Sequence, residues 1–140
     1  MIFGGARVAP KLPTPKIPVS WGELIDKITI LEIKRAKLQG ETARANVERE
    51  LSLLREAAGA VIDNGALAPL QEKLKGLNLE IWDAEEKLRA KEAAQRFDED
   101  FIALARSVYE RNDARSAVKR RINELLSSEL VEEKSHRGAG

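Results

Sequence analysis

The 140-residue chain has no cysteine, one histidine and one methionine, and each scarcity closes a chemical route. Without thiols there can be neither a disulfide framework nor a thiolate metal site. With one histidine, a zinc site would need mostly carboxylates, so neither a metal nor a cofactor is expected. Aromatics are few, at three Phe, two Trp and one Tyr, which leaves aliphatic side chains to fill a core. No stretch reaches the ~18 apolar residues of a membrane span. Met1 to Val19 contains no apolar run of signal-peptide length, and the expected location is the cytoplasm. Charge of one sign is lacking too: 24 Lys and Arg face 23 Asp and Glu. Such a balance gives no overall field for nucleic acid, and none is expected as a partner. Phosphate-binding loops, dinucleotide fingerprints, H-E-x-x-H and G-x-S-x-G are all absent, so no catalytic residue can be named. The sole histidine, His136, lies in the C-terminal tail.

What remains is 43% hydrophobic and 34% charged, a balance suited to helices with one buried stripe and a charged outer face. The expected fold is all-α: an antiparallel helical bundle or hairpin with heptad-like, coiled-coil seams behind an extended Pro-rich arm. Residues 1–19 form the arm, because four of the five prolines (Pro10, Pro13, Pro15 and Pro18) lie there and each disfavours helix. Its only charges are Arg7, Lys11 and Lys16. Residues 20–128 form the helical domain and 129–140 a flexible tail.

Ser20-Trp21-Gly22-Glu23 is a capping box, with Ser20 and Glu23 placed to satisfy each other's amides. Leu24, Ile28, Leu31 and Leu38 mark one helix face, interrupted by Arg35, while Ile25, Ile30 and Ile33 widen the apolar surface. Val47, Leu51, Leu54, Ala58 and Val61 form a second stripe, roughly half a turn out of phase with the first. Either the helix breaks or kinks near Gly40, the favoured reading, or it continues and its later half faces a different partner. After the turn Asp63-Asn64-Gly65 comes the most regular pattern: Leu67, Leu70, Leu74, Leu77, Ile81, Ala84 and Leu88 in strict three-four alternation. Pro69 fits only in the first turn of that helix. Short connections favour antiparallel neighbours, so residues 43–62 and 67–91 are expected to pair. The last helix begins at Asp98, with Phe97 and Ile102 as a possible staple. Its seam of Phe101, Leu104, Val108, Val118, Ile122 and Leu125 keeps phase through Arg111 and Arg115, which predicts one long helix with a polar layer.

Two polar groups could carry a function. Glu23, Asp26, Lys27 and Lys34 share neighbouring parts of the first helix, and Asn112, Arg115, Lys119 and Asn123 share one face of the last. Asn is a poor helix-interior residue because its side chain competes for the backbone, so something must compensate it there. One explanation is a set of inter-helix salt bridges that fix register. The other is an anionic small-molecule site with Lys27, Arg115 and Lys119 as donors. Leu67, Leu70, Leu74, Leu77, Ile81, Leu88 and the flanking Trp82 are the candidate interface residues.

The segment from Pro18 to Lys34 (PVSWGELIDKITILEIK) resembles the opening of a bacterial family of small proteins of unknown function. Asn46-Val47 with Glu50-Leu51, Ile81-Trp82, Ala105 to Tyr109, Asn112-Asp113, Lys119, Ile122-Asn123 and Glu132 to Ser135 resemble its later blocks. The likeness spans roughly residues 18–136. It implies at most a link to surface-glycan assembly, and supplies no catalytic residues. Leu24 to Ile28 also resembles the first helix of the all-helical chorismate mutases, but Gly22-Glu23 and Gln39 stand where that family needs arginines, so the comparison is rejected. The expected role is a non-enzymatic helical protein-interaction module, a homodimer or one half of a complex with a protein partner. The alternative is a binding protein or enzyme for a phosphorylated or nucleotide-linked sugar.

Overall fold

The computed structural model describes residues 9–135; the start of the arm with Arg7, and the tail from His136 to Gly140, lie outside the described residues. Residues 9–19 take no regular secondary structure and are exposed. Four helices follow: α1 (Trp21–Lys37), α2 (Glu41–Ala58), α3 (Ala68–Ala93) and α4 (Glu99–Leu125), with a short 3₁₀ segment, Gly59–Asp63, after α2. No strand occurs among the described residues, and the fold is all-α.

The helix ends follow local chemistry. Ser20 caps α1 by accepting from the Glu23 amide at 3.1 Å. The reciprocal half of the capping box is not formed, because the Glu23 carboxylate is drawn across to Lys119 on α4. α1 stops where the stripe changes phase: Leu38 and Gly40 are both extended, and Gly40 is the N-cap of α2. Pro69 sits in the first turn of α3, where its missing N–H costs nothing. Asp98 caps α4 by accepting from the Phe101 amide at 2.9 Å. Ahead of α4, Phe97 stacks edge-on against Phe101 at 5.3 Å between ring centroids. α4 runs unbroken through Asn112 and Asp113.

The pairing order corrects the expected hairpin of residues 43–62 with 67–91. α1 pairs with α2 and α3 with α4, whereas α2 and α3 do not pack along each other. The reason lies in α1, where Leu24, Ile25, Ile28, Leu31 and Ile33 are all buried. A helix apolar on several sides gains most by taking the centre, and α1 touches all three other helices. Ile25, Ile28, Leu51, Leu67, Leu74 and Ile122 are almost wholly enclosed, each worth roughly 1.5–3 kcal/mol of burial.

Helix length decides what the core leaves out. α3 and α4 have 26 and 27 residues against 17 in α1. At about 1.5 Å per residue they outrun α1 by roughly 15 Å. The ion pairs Lys91–Asp98 and Glu80–Arg111 show the two lying antiparallel. The base of this hairpin packs on α1, and its tip projects beyond.

Candidate functional site

At the hairpin base, α1, α3 and α4 meet around a buried carboxylate. Asp26 is 1% exposed, on the face that α1 turns toward the other two helices. It accepts from Asn78 Nδ2 of α3 at 2.8 Å and from Arg115 Nε of α4 at 3.0 Å. Arg115 Nη2 donates to its second oxygen, so the guanidinium grips the carboxylate with two parallel bonds. Asn78 also donates to Thr29 Oγ1, whose hydroxyl is in turn given to the Asp26 carbonyl. Asn112, one turn before Arg115, accepts from Arg115 Nη1 at 3.2 Å.

A second layer lies one turn nearer the start of α1. Lys119 donates to Glu23 at 2.7 Å and to Glu132 at 2.9 Å, and stands 3.9 Å from Asp26. Asn123 accepts from the Gly22 amide at 2.6 Å. Gly22 makes this approach possible, since a Cβ there would lie 2.5 Å from the Lys119 carbonyl oxygen. Ser128, just past α4, accepts from the Trp21 amide. The start of α1 is thus fastened to the end of α4 through backbone groups as well as charges.

The electrostatics match the contacts. Hydrogen bonding to Asp26 raises the Arg115 pKa above its usual value, against burial, which lowers it. Burial also works to lower the Lys119 pKa, but the bonds to Glu23 and Glu132 outweigh it and the net shift is upward. The same Lys119 contact holds the Glu132 carboxyl below its usual range. No buried side-chain nitrogen or oxygen lacks a partner among the described residues. What the arrangement does chemically is hold charges still.

Among the candidate ligand residues, Glu23, Asp26, Asn112, Arg115, Lys119 and Asn123 come together. Lys27 does not join them: it is exposed, and neither it nor the half-buried Lys34 has an ion pair among the described residues. Asn78, Thr29, Gly22 and Glu132 complete the cluster without having been singled out. Asn78 had a signal, an amide four residues from Leu74 and three from Ile81 on the buried side of an otherwise apolar seam. The seam arginines are accounted for as well, with Arg35 facing Glu48 and Arg111 facing Glu80.

The candidate interface residues divide by height. Leu67, Leu74 and Ile81 are buried inside the chain, Leu70 and Leu77 pack partly against the core, and Trp82 and Leu88 are half-buried. Toward the tip the cover is lost, with Phe97 54% and Ile102 48% exposed, while Tyr109, level with Ile81, is 58% exposed on the outer side of α4. An open groove of about 610 Å³ runs between the two helices there, lined by Ala90, Ala94, Ala103 and Leu104 together with Lys87, Lys91, Arg96, Asp100 and Ser107.

The model of a family described only as a family of unknown function (DUF6165) matches residues 15–139. No curated protein and no solved structure matches the chain. No helix among the described residues is long and apolar enough to cross a membrane.

Proposed function

We propose, from the premise that the chain belongs to this family of unknown function, that it is a non-enzymatic interaction module which self-associates through the tip of the α3–α4 hairpin. The observation that carries this reading is the uncovered tip. Phe97 is exposed at the tip, Ile102 and Tyr109 lie two turns apart on one exposed outer face of α4, and a separate open groove between α3 and α4 is lined by Ala90, Ala94, Ala103 and Leu104 with the charged Lys87, Lys91, Arg96 and Asp100. Small residues let a helix approach closely, the charges beside them can pair across the contact, and exposed Phe97 and Ile102 give it apolar surface to bury. A second hairpin set against the first supplies both missing helices at once and turns two half-covered seams into one four-helix layer.

The polar cluster favours this reading over a site for an anionic sugar. Arg115, expected as one of that site's donors, is already gripped by buried Asp26, as inter-helix bridges that fix register are. A connection with surface-glycan assembly is supported only by the sequence resemblance.

Sedimentation velocity at micromolar concentration tests the proposal. The chain should run as a dimer, and Ile102→Asp with Tyr109→Asp should return it to a folded monomer. A clean monomer for the unaltered chain would sink self-association.

A further inference from the structure

One carboxylate of the cluster differs from the rest in how it is held. Glu23 and Asp26 sit on a helix, but Glu132 belongs to residues 129–135, which have no regular secondary structure. This segment folds back along the end of α4. Glu132 meets Lys119 at 2.9 Å and Glu133 meets Arg120 at 3.2 Å. Little else fastens it: Leu130 and Val131 are exposed, and Ser128 Oγ donates to the Leu130 carbonyl at the turn. Two such ion pairs, one with a carboxylate 75% exposed, make a weak hold.

Beneath the segment lies a cleft lined by Ser116, Lys119, Arg120, Asn123, Glu132 and Lys134. With the tail in place its free space is about 10 Å³, room for about one water. Apart from Glu132, the lining side chains supply donors. Lys119 is only 9% exposed and already oriented, and Arg120 stands one residue further on. Asn123 spends its oxygen on the Gly22 amide, which leaves its Nδ2 as the outward group. Ser116, one turn before Arg120, adds a hydroxyl. Without the tail, three cations (Arg115, Lys119 and Arg120) would face two carboxylates (Glu23 and Asp26), an excess of one positive charge at a partly buried spot.

We propose that Glu132 and Glu133 are an internal ligand, closing an oxyanion site of Ser116, Lys119, Arg120 and Asn123 that accepts a phosphate group when the tail leaves. A phosphate monoester suits the site because it brings two charges and three acceptor oxygens to a compact set of ammonium, guanidinium, hydroxyl and amide donors. Exchange of tail for ligand conserves the pairing of Lys119 and Arg120, so the bundle itself need not rearrange. The tail then acts as a gate on affinity, lowering it by the fraction of time it occupies the site. This inference is independent of the hairpin tip.

The test compares the full chain with its Glu132→Gln/Glu133→Gln variant, titrated with inorganic phosphate and with phenyl phosphate. Binding is read from the backbone amide shifts of residues 116–123. The substitutions lie on an exposed segment, and circular dichroism checks that the fold is kept. The variant should bind phosphate about tenfold more tightly than the unaltered chain, as expected for a site closed about nine-tenths of the time. Adding Arg120→Gln should abolish the gain. Tighter binding of phenyl phosphate than of free phosphate would identify a phosphate carried on a larger molecule, and the reverse order a free ion. Equal affinity with and without the two glutamates, or no shift in residues 116–123 in the variant, would overturn the proposal.

Discussion

The two ends of the α3–α4 hairpin are built from the same pair of helices and face opposite demands. At the base, α1 lies across the pair and every contact is specified: a bidentate Arg115–Asp26 grip, Asn78 shared between Asp26 and Thr29, and Gly22 against the Lys119 carbonyl. At the tip no third helix arrives, and exposed Phe97 and Ile102 stand among alanines and solvent-facing charges such as Lys87, Arg96 and Asp100, with one capping ion pair, Lys91 with Asp98. At the base a paired polar cluster is buried beside the apolar core, and at the tip a few apolar side chains are left uncovered among charges. The buried pairing is suited to holding the base in one arrangement, and the uncovered Phe97 and Ile102 are the tip's contribution to the proposed contact.

The contrast can be broken first at the base. Arg115→Ala should cost about 3–5 kcal/mol in urea unfolding, because it leaves the Asp26 carboxylate buried without its main partner. Replacing Asp26 and Arg115 together by leucine should recover most of that loss, since no unpaired charge is then left inside. Gly22→Ala should cost about 1–3 kcal/mol as the new methyl pushes α1 away from α4. At the tip the sign reverses. Gln95 holds a left-handed φ of 55° in the α3–α4 turn, so Gln95→Gly should stabilise the chain by about 0.5–1 kcal/mol. The paired change Ile102→Asp and Tyr109→Asp should move monomer stability by less than about 0.5 kcal/mol while abolishing self-association. If it unfolds the monomer instead, the tip belongs to the core and the contrast between the ends is lost.

The smallest effect should come from acid. Lys119 depresses the Glu132 pKa below its ordinary 4.5, so the carboxylate stabilises the docked tail at pH above 4.5. That contribution is lost as pH falls below 4.5 and through the lowered value. Amide exchange in residues 129–135 should rise over this window before the hairpin base opens.

Apolar spacing shows which face of a helix is buried but not which helix covers it. The phase change after Leu38 was therefore readable as a break at Gly40, and the unbroken phase around Arg111 and Arg115 as one long α4. The partner of α2 was not readable, because the stripe from Val47 to Ala58 would serve equally against α3 or α1. What decides it is the many-sided burial of Ile25, Ile28 and Ile33, a competition among helices rather than a property of one. The cluster shows the same boundary. Asn112, Arg115, Lys119 and Asn123 are legible as a face because helical spacing fixes their relation. Lys27 shared the sequence neighbourhood of Asp26 yet points into solvent, about 100° further round the helix. Glu132 lay in a segment whose composition says only that it is polar, and its position depends on a cation 13 residues away in sequence.

The central place of α1 also fixes the order in which the chain can assemble. α1 with α2, and α3 with α4, are neighbours in sequence and can close as separate local units on fast timescales. What joins them spans far more chain: Gly22 to Asn123 closes 101 residues and Asp26 to Arg115 closes 89. The side of α1 that faces α4 is therefore covered only when these distant segments meet. Docking of the two hairpins is the step that commits the chain, and hydrogen exchange should resolve them as two cooperative units that open apart before either melts.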